Sequence, residues 1–275
     1  MKDLYDFSLD RETHLRFYEQ MQGVYKRVYH RFGLGDQTYM TASSGGSFSK
    51  YSFEFQTICQ AGEDVIYYDE EKRFAVNQAD YSPELLADFG LREKDCNFKE
   101  AKSIEVGDIY TLGEKYAQAI GLTYKDQQGR VRPVFMGSYG IGVPRVIGAV
   151  VELLADDQGL SWPVTIAPYE LHLIQLGQNE AVKKTAVELY GALSEAGVEV
   201  LYDDRQTAAG EKFAEADLIG IPYQLIVSEK NVIAGELEVK DRRTGRVTNI
   251  DEGQIVDGVL KLLTRLKADL NPDQE

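Results

Sequence analysis

Residues 136–145 read MGSYGIGVPR. Gly140 and Gly142 stand two apart at the end of an apolar run, with Pro144 and Arg145 directly behind them. Backbone without a Cβ lets a flat ligand lie against it. A guanidinium at the mouth of such a stretch can stack on a base or grip a phosphate through paired N–H donors. Nucleotide chemistry is one reading; a glycine-rich turn carrying a surface arginine is the other, because short glycine patterns recur by chance. The elements that position these residues are legible on either reading. Residues 131–136 read as a strand and the glycines as a tight junction. Val146, Ile147, Val150, Val151 and Leu154 then follow at helical spacing, with Pro144 in the first turn.

Other chemistries find less support. His14, His30 and His172 lie far apart without ligand-spaced partners, and Cys59 and Cys96 show no pairing pattern, so no metal site is expected. Two unpaired thiols suit a reducing, cytoplasmic compartment. The net charge of −15 argues against a general nucleic-acid coat protein. A local basic patch can still work on an acidic body. Lys240, Arg242, Arg243 and Arg246 form one around a Thr244-Gly245 turn, readable as a phosphate contact or as a charged hairpin tip. No run of 18 apolar residues is present, so no membrane partner is expected. The first residues are charged and lack the apolar stretch of a secretory signal.

A length of 275 residues suggests two domains. Residues 10–33 read as a scaffold helix, with Asp10 as cap and Leu15, Tyr18, Met21, Tyr25, Val28 and Phe32 at three- and four-residue steps. Residues 41–46 read as a small-residue loop, 53–55 and 64–69 as strands, 103–112 as a strand and 114–120 as a helix. Residues 78–101 look least ordered, with one short helix at 83–89. From Glu170 the pattern alternates: strands at 171–176, 198–202 and 223–227, helices at 181–195 and 212–218, a strand pair at 237–240 and 247–250, and a closing helix at 254–266. The expected architecture is an incomplete α+β catalytic core, an antiparallel sheet with helices, over 1–161. A smaller α/β domain follows over 162–275, with the prolines of WPVTIAP at the hinge.

GSYGIGVPR resembles motif 3 of class II aminoacyl-tRNA synthetases, in the form found in the prolyl-tRNA synthetase family. MKDLYDF at the start, SGGSFSKYSFEF over 44–55, KSIEVGDIYTLGEKY over 102–116, WPVTIAPYELHLI over 162–174 and GEKFAEADLIGIPYQLIVS over 210–228 have counterparts in that family in the same order. The resemblance covers nearly the whole chain. It implies a class II core followed by an anticodon-binding domain, and a reaction that joins proline to tRNA(Pro) with ATP and Mg²⁺. A homodimer is implied for the full-length enzyme. It also implies that the chain begins inside motif 2. The motif 2 arginine and motif 1 would then lie upstream, making this the C-terminal portion of a synthetase. A non-catalytic tRNA-binding paralogue is the alternative. The roughly two dozen residues at 78–101 are too few for an editing domain with its own core.

Residue by residue, the resemblance gives Arg145 to ATP, with Gly140 and Gly142 as the floor on the adenine side and Glu105, Asp108 and Thr111 on a neighbouring strand. Many relatives carry histidine or asparagine where Asp108 stands. Asp3 matches the acid that faces the proline ammonium, although by itself it is also a plain terminal acid. Ser138 stands where a cysteine often lies beside the proline ring, and Phe53 where S-H-E-F has its histidine. In the second domain, Asp204 and Arg205 lie at a strand end near the expected anticodon face. Glu238 and Lys240 share one side of a strand, with Arg242 just beyond. Lys212 opens a helix as a phosphate contact or as a solvated lysine.

Overall fold

The computed structural model describes residues 1–46 and 49–271, so the tip of the 44–55 block falls partly outside it. Two compact units divide the chain: Met1–His30 with Leu34–Leu153, and Arg31–Gly33 with Leu154–Glu275. The boundary expected at 161/162 shifts, because residues 154–161 pack with the second unit. Asp156 takes the Arg242 guanidinium, and the N–H groups of Leu160 and Trp162 donate to the carbonyls of Leu218 and Gly220.

The first unit runs β1 (Lys2–Ser8), α1 (Arg11–Arg31), β2 (Thr38–Ser44), β3 (Tyr51–Ile58), β4 (Asp64–Asp69), β5 (Phe74–Asn77), α2 (Pro83–Asp88), β6 (Lys99–Gly113), α3 (Lys115–Ile120), β7 (Thr123–Lys125), β8 (Val131–Pro133), β9 (Phe135–Ile141) and α4 (Val143–Leu154). Seven strands form one sheet in the order β1-β9-β6-β3-β2-β5-β4, antiparallel except where β2 meets β5; β7 and β8 pair separately. Helix α1 covers one face. Asp10 caps it by accepting the Thr13 N–H at 2.8 Å, and His14, Tyr18, Met21, Tyr25 and Tyr29 turn inward. Tyr25 and Tyr29 pack on Phe55 at ring distances of 5.1 and 5.2 Å, and Tyr18 on Tyr139 at 6.1 Å.

Behind β1, β9 and β6 this face holds a buried polar network. Asp6 accepts from Ser8 Oγ at 2.7 Å and Tyr139 Oη at 2.9 Å, and lies 3.1 Å from His14 Nδ1. His14 Nε2 is 3.0 Å from Thr111 Oγ1. Burial pushes the Asp6 carboxyl up, but the bonds from His14, Ser8 and Tyr139 outweigh it and leave the group below its usual range. Gly137 makes the room. A Cβ there would stand 2.3 Å from Asp6 Oδ1 and 2.5 Å from His14 Cε1. Gly137→Ala is therefore expected to cost about 1–3 kcal/mol in urea unfolding. Gly148→Ala, in helix α4 with nothing within 4 Å, is expected to gain about 0.5–1 kcal/mol.

Several local expectations change. Residues 41–44 belong to β2, because Ser, Thr and Ala serve a strand packed on both sides as well as a loop. The strand before α4 divides into β8 and β9, and β9 runs through Gly137 and Gly140. Gly140 is thus mid-sheet, and only Gly142 sits at the junction, its N–H donating to the Val106 carbonyl at 2.9 Å. Residues 78–98 are ordered by aromatic packing: Leu85 and Leu86 of α2 join Ala42 and Val76 among Tyr51, Phe53, Phe74, Tyr81, Phe89 and Phe98.

The second unit runs β10 (Leu171–Leu176), α5 (Glu180–Glu195), β11 (Val200–Asp203), α6 (Ala209–Ile219), β12 (Tyr223–Ser228), α7 (Glu229–Ala234), β13 (Glu236–Asp241), β14 (Val247–Asp251) and α8 (Ile255–Asp269). Its sheet order is β11-β10-β12-β13-β14. The first three strands are parallel, and β13 and β14 run antiparallel to their neighbours. Leu171, Leu173, Leu225, Val227, Leu237 and Val239 meet α5 and α8 on one face, through Val182, Leu189, Val259 and Leu263 among others.

Candidate functional site

The sheet face away from α1 carries the site. Strand register sets Asp3 opposite Gly140, Gly140 opposite Asp108, and Asp108 opposite Glu54. Directly opposed residues share a face, so these four form one row. Two residues along, Tyr5, Ser138 and Tyr110 form a second. Small residues on β9 thus floor a trough between walls from β1 and β6. Asp3 and Tyr5 are exposed, while Asp108, Tyr110 and Glu54 are half-buried.

A β-bulge brings Glu105 into the same trough. Register shifts between Phe55 and Gln56, so that Phe55 faces Gly107 and Gln56 faces Glu105. The extra residue turns Glu105 and Asp108, three apart, to one side. Helix α4 begins against this bulge. Arg145, in its first turn, donates through Nη1 to the Glu105 carbonyl at 3.0 Å and lies 3.0 Å from the Glu105 carboxylate. Its side chain is 54% exposed, so the cation stands at the rim and is free to meet an anion.

Charge in the trough is unbalanced. Burial raises the Glu105 carboxyl; Arg145 lowers it, and Glu54 and Asp108 raise it further. Burial likewise raises Asp108, opposed by the Gly140 N–H and Arg145 and reinforced by Glu54 and Asp3. The Tyr110 phenol is pushed up to about 12, by burial first and then by Asp108 and Glu54, so it remains a hydrogen-bond donor. Four carboxylates around one guanidinium favour a ligand that brings positive charge. Glu54 is partly satisfied by the Gln56 amide at 3.1 Å and the Asn77 amide at 3.4 Å. Among the described residues, no three His, Cys, Asp or Glu side chains are grouped to hold a metal ion.

The structure brings Asp3, Ser138, Gly140, Asp108, Glu105 and Arg145 together, with Gly142 at the start of α4. It separates two others. Phe53 sits on the opposite face and packs on Phe89 at 5.3 Å, in the aromatic cluster of α2. Thr111 also faces α1, bound to His14. Both follow from strand alternation, since each lies an odd number of positions from a trough residue on its own strand. Glu54, the acid retained in the S-H-E-F block, lines the trough, and so do Tyr5 and Tyr110, which the motifs do not mark. Their signal was period two: Tyr5 lies two after Asp3, and Tyr110 two after Asp108.

In the second unit, most of the expected RNA contacts are internal. Lys212 is 1% exposed; its Nζ donates to the carbonyls of Gln175 at 2.8 Å and Asp203 at 3.0 Å. Arg242 is 3% exposed and clamps Asp156 through two bonds of 2.7 Å. Lys240 pairs with Asp217, and Arg205 with Asp203 and Glu215. Sequence assigns cations to the surface by type, whereas these pair with acids of their own unit, Lys212 against the buried Asp203 and Arg242 against the exposed Asp156. Asp204 is exposed and Glu238 half-buried on the α6 side of the sheet. Arg243 and Arg246 make no side-chain ion pair among the described residues.

This unit also titrates. Burial lowers His172 to about 4 from an ordinary 6.5, with Asp203 opposing and Arg205 and Lys212 reinforcing. Asp203 is held at about 2, chiefly by Arg205, against burial. For both groups the unfolded chain binds more protons, so stability is lost as pH is lowered. The second unit is expected to lose stability from about pH 6.5 to 4 through His172, and again from about 4 to 2 through Asp203. Urea midpoints at pH 7, 5 and 3 check this; a flat profile between pH 7 and 4 contradicts it.

Comparison with known proteins gives two family matches. Residues 1–153 match the tRNA synthetase class II core domain (G, H, P, S and T), and residues 164–262 match the anticodon binding domain. A proline–tRNA ligase of Dinoroseobacter shibae is 37% identical, over 89% of this chain and 60% of its own length. One of Rickettsia bellii is 34% identical, over 91% and 60%. The chain thus spans about 60% of the length of these curated relatives. The crystal structure of prolyl-tRNA synthetase from Cryptosporidium parvum, complexed with L-proline and AMP, superposes with a TM-score of 0.71 at 17% identity. It covers 98% of this chain and 50% of that one, and it supports the fold.

Proposed function

With this chain belonging to the class II tRNA synthetases, in the group whose core domains are labelled G, H, P, S and T, we propose that it forms the C-terminal portion of a proline–tRNA ligase. The carrying observation is the trough, in which acids, a glycine–serine floor and a rim arginine meet on one sheet face. Proline offers a secondary ammonium, a carboxylate and a small apolar ring. Asp3 and Asp108 suit the ammonium, and Tyr5 and Tyr110 bracket a ring lying over Ser138. Arg145 suits the nucleotide phosphates, with Gly140 leaving the strand bare beneath the adenylate.

In the first step the proline carboxylate attacks the α-phosphate of ATP and pyrophosphate leaves; in the second, a 3′-terminal ribose hydroxyl of tRNA(Pro) takes the prolyl group. Orientation and charge neutralisation carry the first step. Glu105 and Asp108 could share a magnesium ion with the phosphates, since Mg²⁺ is commonly held by one or two carboxylates plus substrate oxygens. Such an ion would offset the acidic excess of the trough. The protein is assigned to the cytoplasm with the rest of translation, and the whole enzyme to a homodimer.

The second unit is assigned to the anticodon stem-loop. Asp204 and Glu238 can accept from base edges, and Arg243 and Arg246 meet phosphates. Replacing both arginines by alanine is expected to flatten the salt dependence of tRNA(Pro) binding by roughly one unit of log–log slope each. Catalysis is tested by proline-dependent exchange of labelled pyrophosphate into ATP. Exchange that requires proline supports the ligase. No exchange with tRNA(Pro) binding retained would instead make the chain an RNA-binding module.

A further inference from the structure

The short turn after β5 touches the first row of the trough directly and the strand beside it, β2. Asn77 caps it, accepting the Ala79 N–H at 3.1 Å while its amide reaches Glu54 in the first row at 3.4 Å. Three residues on, one oxygen of Asp80 accepts both the Ser43 hydroxyl at 2.8 Å and the Ser44 N–H at 2.9 Å. Ser43 lies opposite Ser52 in the β2–β3 register, and Ser52 Oγ donates to the Ser44 carbonyl at 3.1 Å. Ser52 also hydrogen-bonds Tyr110, the wall residue beside Ser138. Polar contacts therefore step from Asp80 to the exposed Ser44 backbone, from the Ser44 carbonyl to the buried Ser52 hydroxyl, and from there to Tyr110. Nothing in the sequence joins Asp80 to residue 110; the sheet does so by placing β5, β2, β3 and β6 side by side.

We propose that Asp80 is a positioning residue for the amino-acid end of the trough: it fixes the Ser43–Ser44 backbone, which orients Ser52, which sets the ring of Tyr110 against the substrate side chain. This rests on the reading of the trough as the prolyl-adenylate site. Removing the carboxylate leaves the Ser43 hydroxyl and Ser44 N–H without this acceptor and loosens the Ser52 hold on the ring, while Arg145 and the nucleotide end, more than one strand away, are untouched.

The test is calorimetric titration of the full chain with ATP and, separately, with a non-hydrolysable prolyl-sulfamoyl-adenosine. Asp80→Ala is expected to weaken the prolyl analogue at least tenfold and to leave ATP affinity within twofold. Asp80→Asn, which keeps one acceptor oxygen in place, is expected to lose less, and it carries the test if the alanine variant fails to fold. In a Tyr110→Phe background, Asp80→Ala is expected to add less than twofold, because the line is already cut. Equal losses for ATP and analogue, or losses that multiply in the double variant, would overturn the positioning role. Failure of the parent chain to bind either ligand would overturn the site itself, a different and recognisable result.

Discussion

Lys212→Ala destabilises the second unit by about 3–5 kcal/mol, the usual cost of stripping one partner from a buried ion pair. The Lys212 side chain is 2% exposed and lies 3.4 Å from Asp203 Oδ1. Its ammonium also satisfies the carbonyls of Gln175 and Asp203 at the ends of β10 and β11. Alanine takes a donor from two carbonyls and leaves a buried carboxylate to Arg205. Equilibrium urea unfolding measures the loss. Lys183→Ala is the control: its pairing with Glu180 spans 3.7 Å on an exposed helix face, so the change there should stay within about 0.5 kcal/mol. If Lys212→Ala instead unfolded like the parent and weakened tRNA, the lysine would be a surface contact after all.

Arg145→Ala has the other large effect, on binding and rate. Among the described residues the guanidinium is the one cation placed at the trough rim, and it is held there by Glu105. Loss of a positioned cation at developing charge costs about 10²–10³ in rate. The same change should barely move the unfolding midpoint, since exposed ion pairs contribute about 0–1 kcal/mol. Arg145→Lys is expected to recover little, because an ammonium cannot make the paired, planar contact that a phosphate or a base offers. Pyrophosphate exchange and ATP titration of the two variants check this. Unchanged ATP affinity in Arg145→Ala would remove the arginine from the nucleotide site.

Much of this was legible in the residues. Three- and four-residue spacing located α1 with Tyr18, Met21 and Tyr25, although it chose Leu15 and Val28 where His14 and Tyr29 turn inward, and the alternation after Glu170 located every strand of the second sheet. The row joining Asp3, Gly140 and Asp108 was not, because register between strands a hundred residues apart leaves no local mark. Phe53 and Thr111 were misplaced for the same reason: they neighbour trough residues in sequence but face α1 or α2. The bulge that turns Glu105 inward has no sequence signature beyond Gly107, whose missing Cβ admits Tyr29 Oη. In the second unit, side-chain type misled. Lys212, Arg242 and Lys240 read as surface charge, and only coordinates pair them with Asp203, Asp156 and Asp217.

The most direct measurement is a crystal structure of the chain grown with L-proline and AMP. Both ligands should lie on the sheet face away from α1, the proline ammonium between Asp3 and Asp108 and its ring over Ser138, with the Arg145 guanidinium turned from Glu105 onto the nucleotide. Ligands bound elsewhere, or an Arg145 still paired with Glu105 beside an occupied trough, would contradict the account.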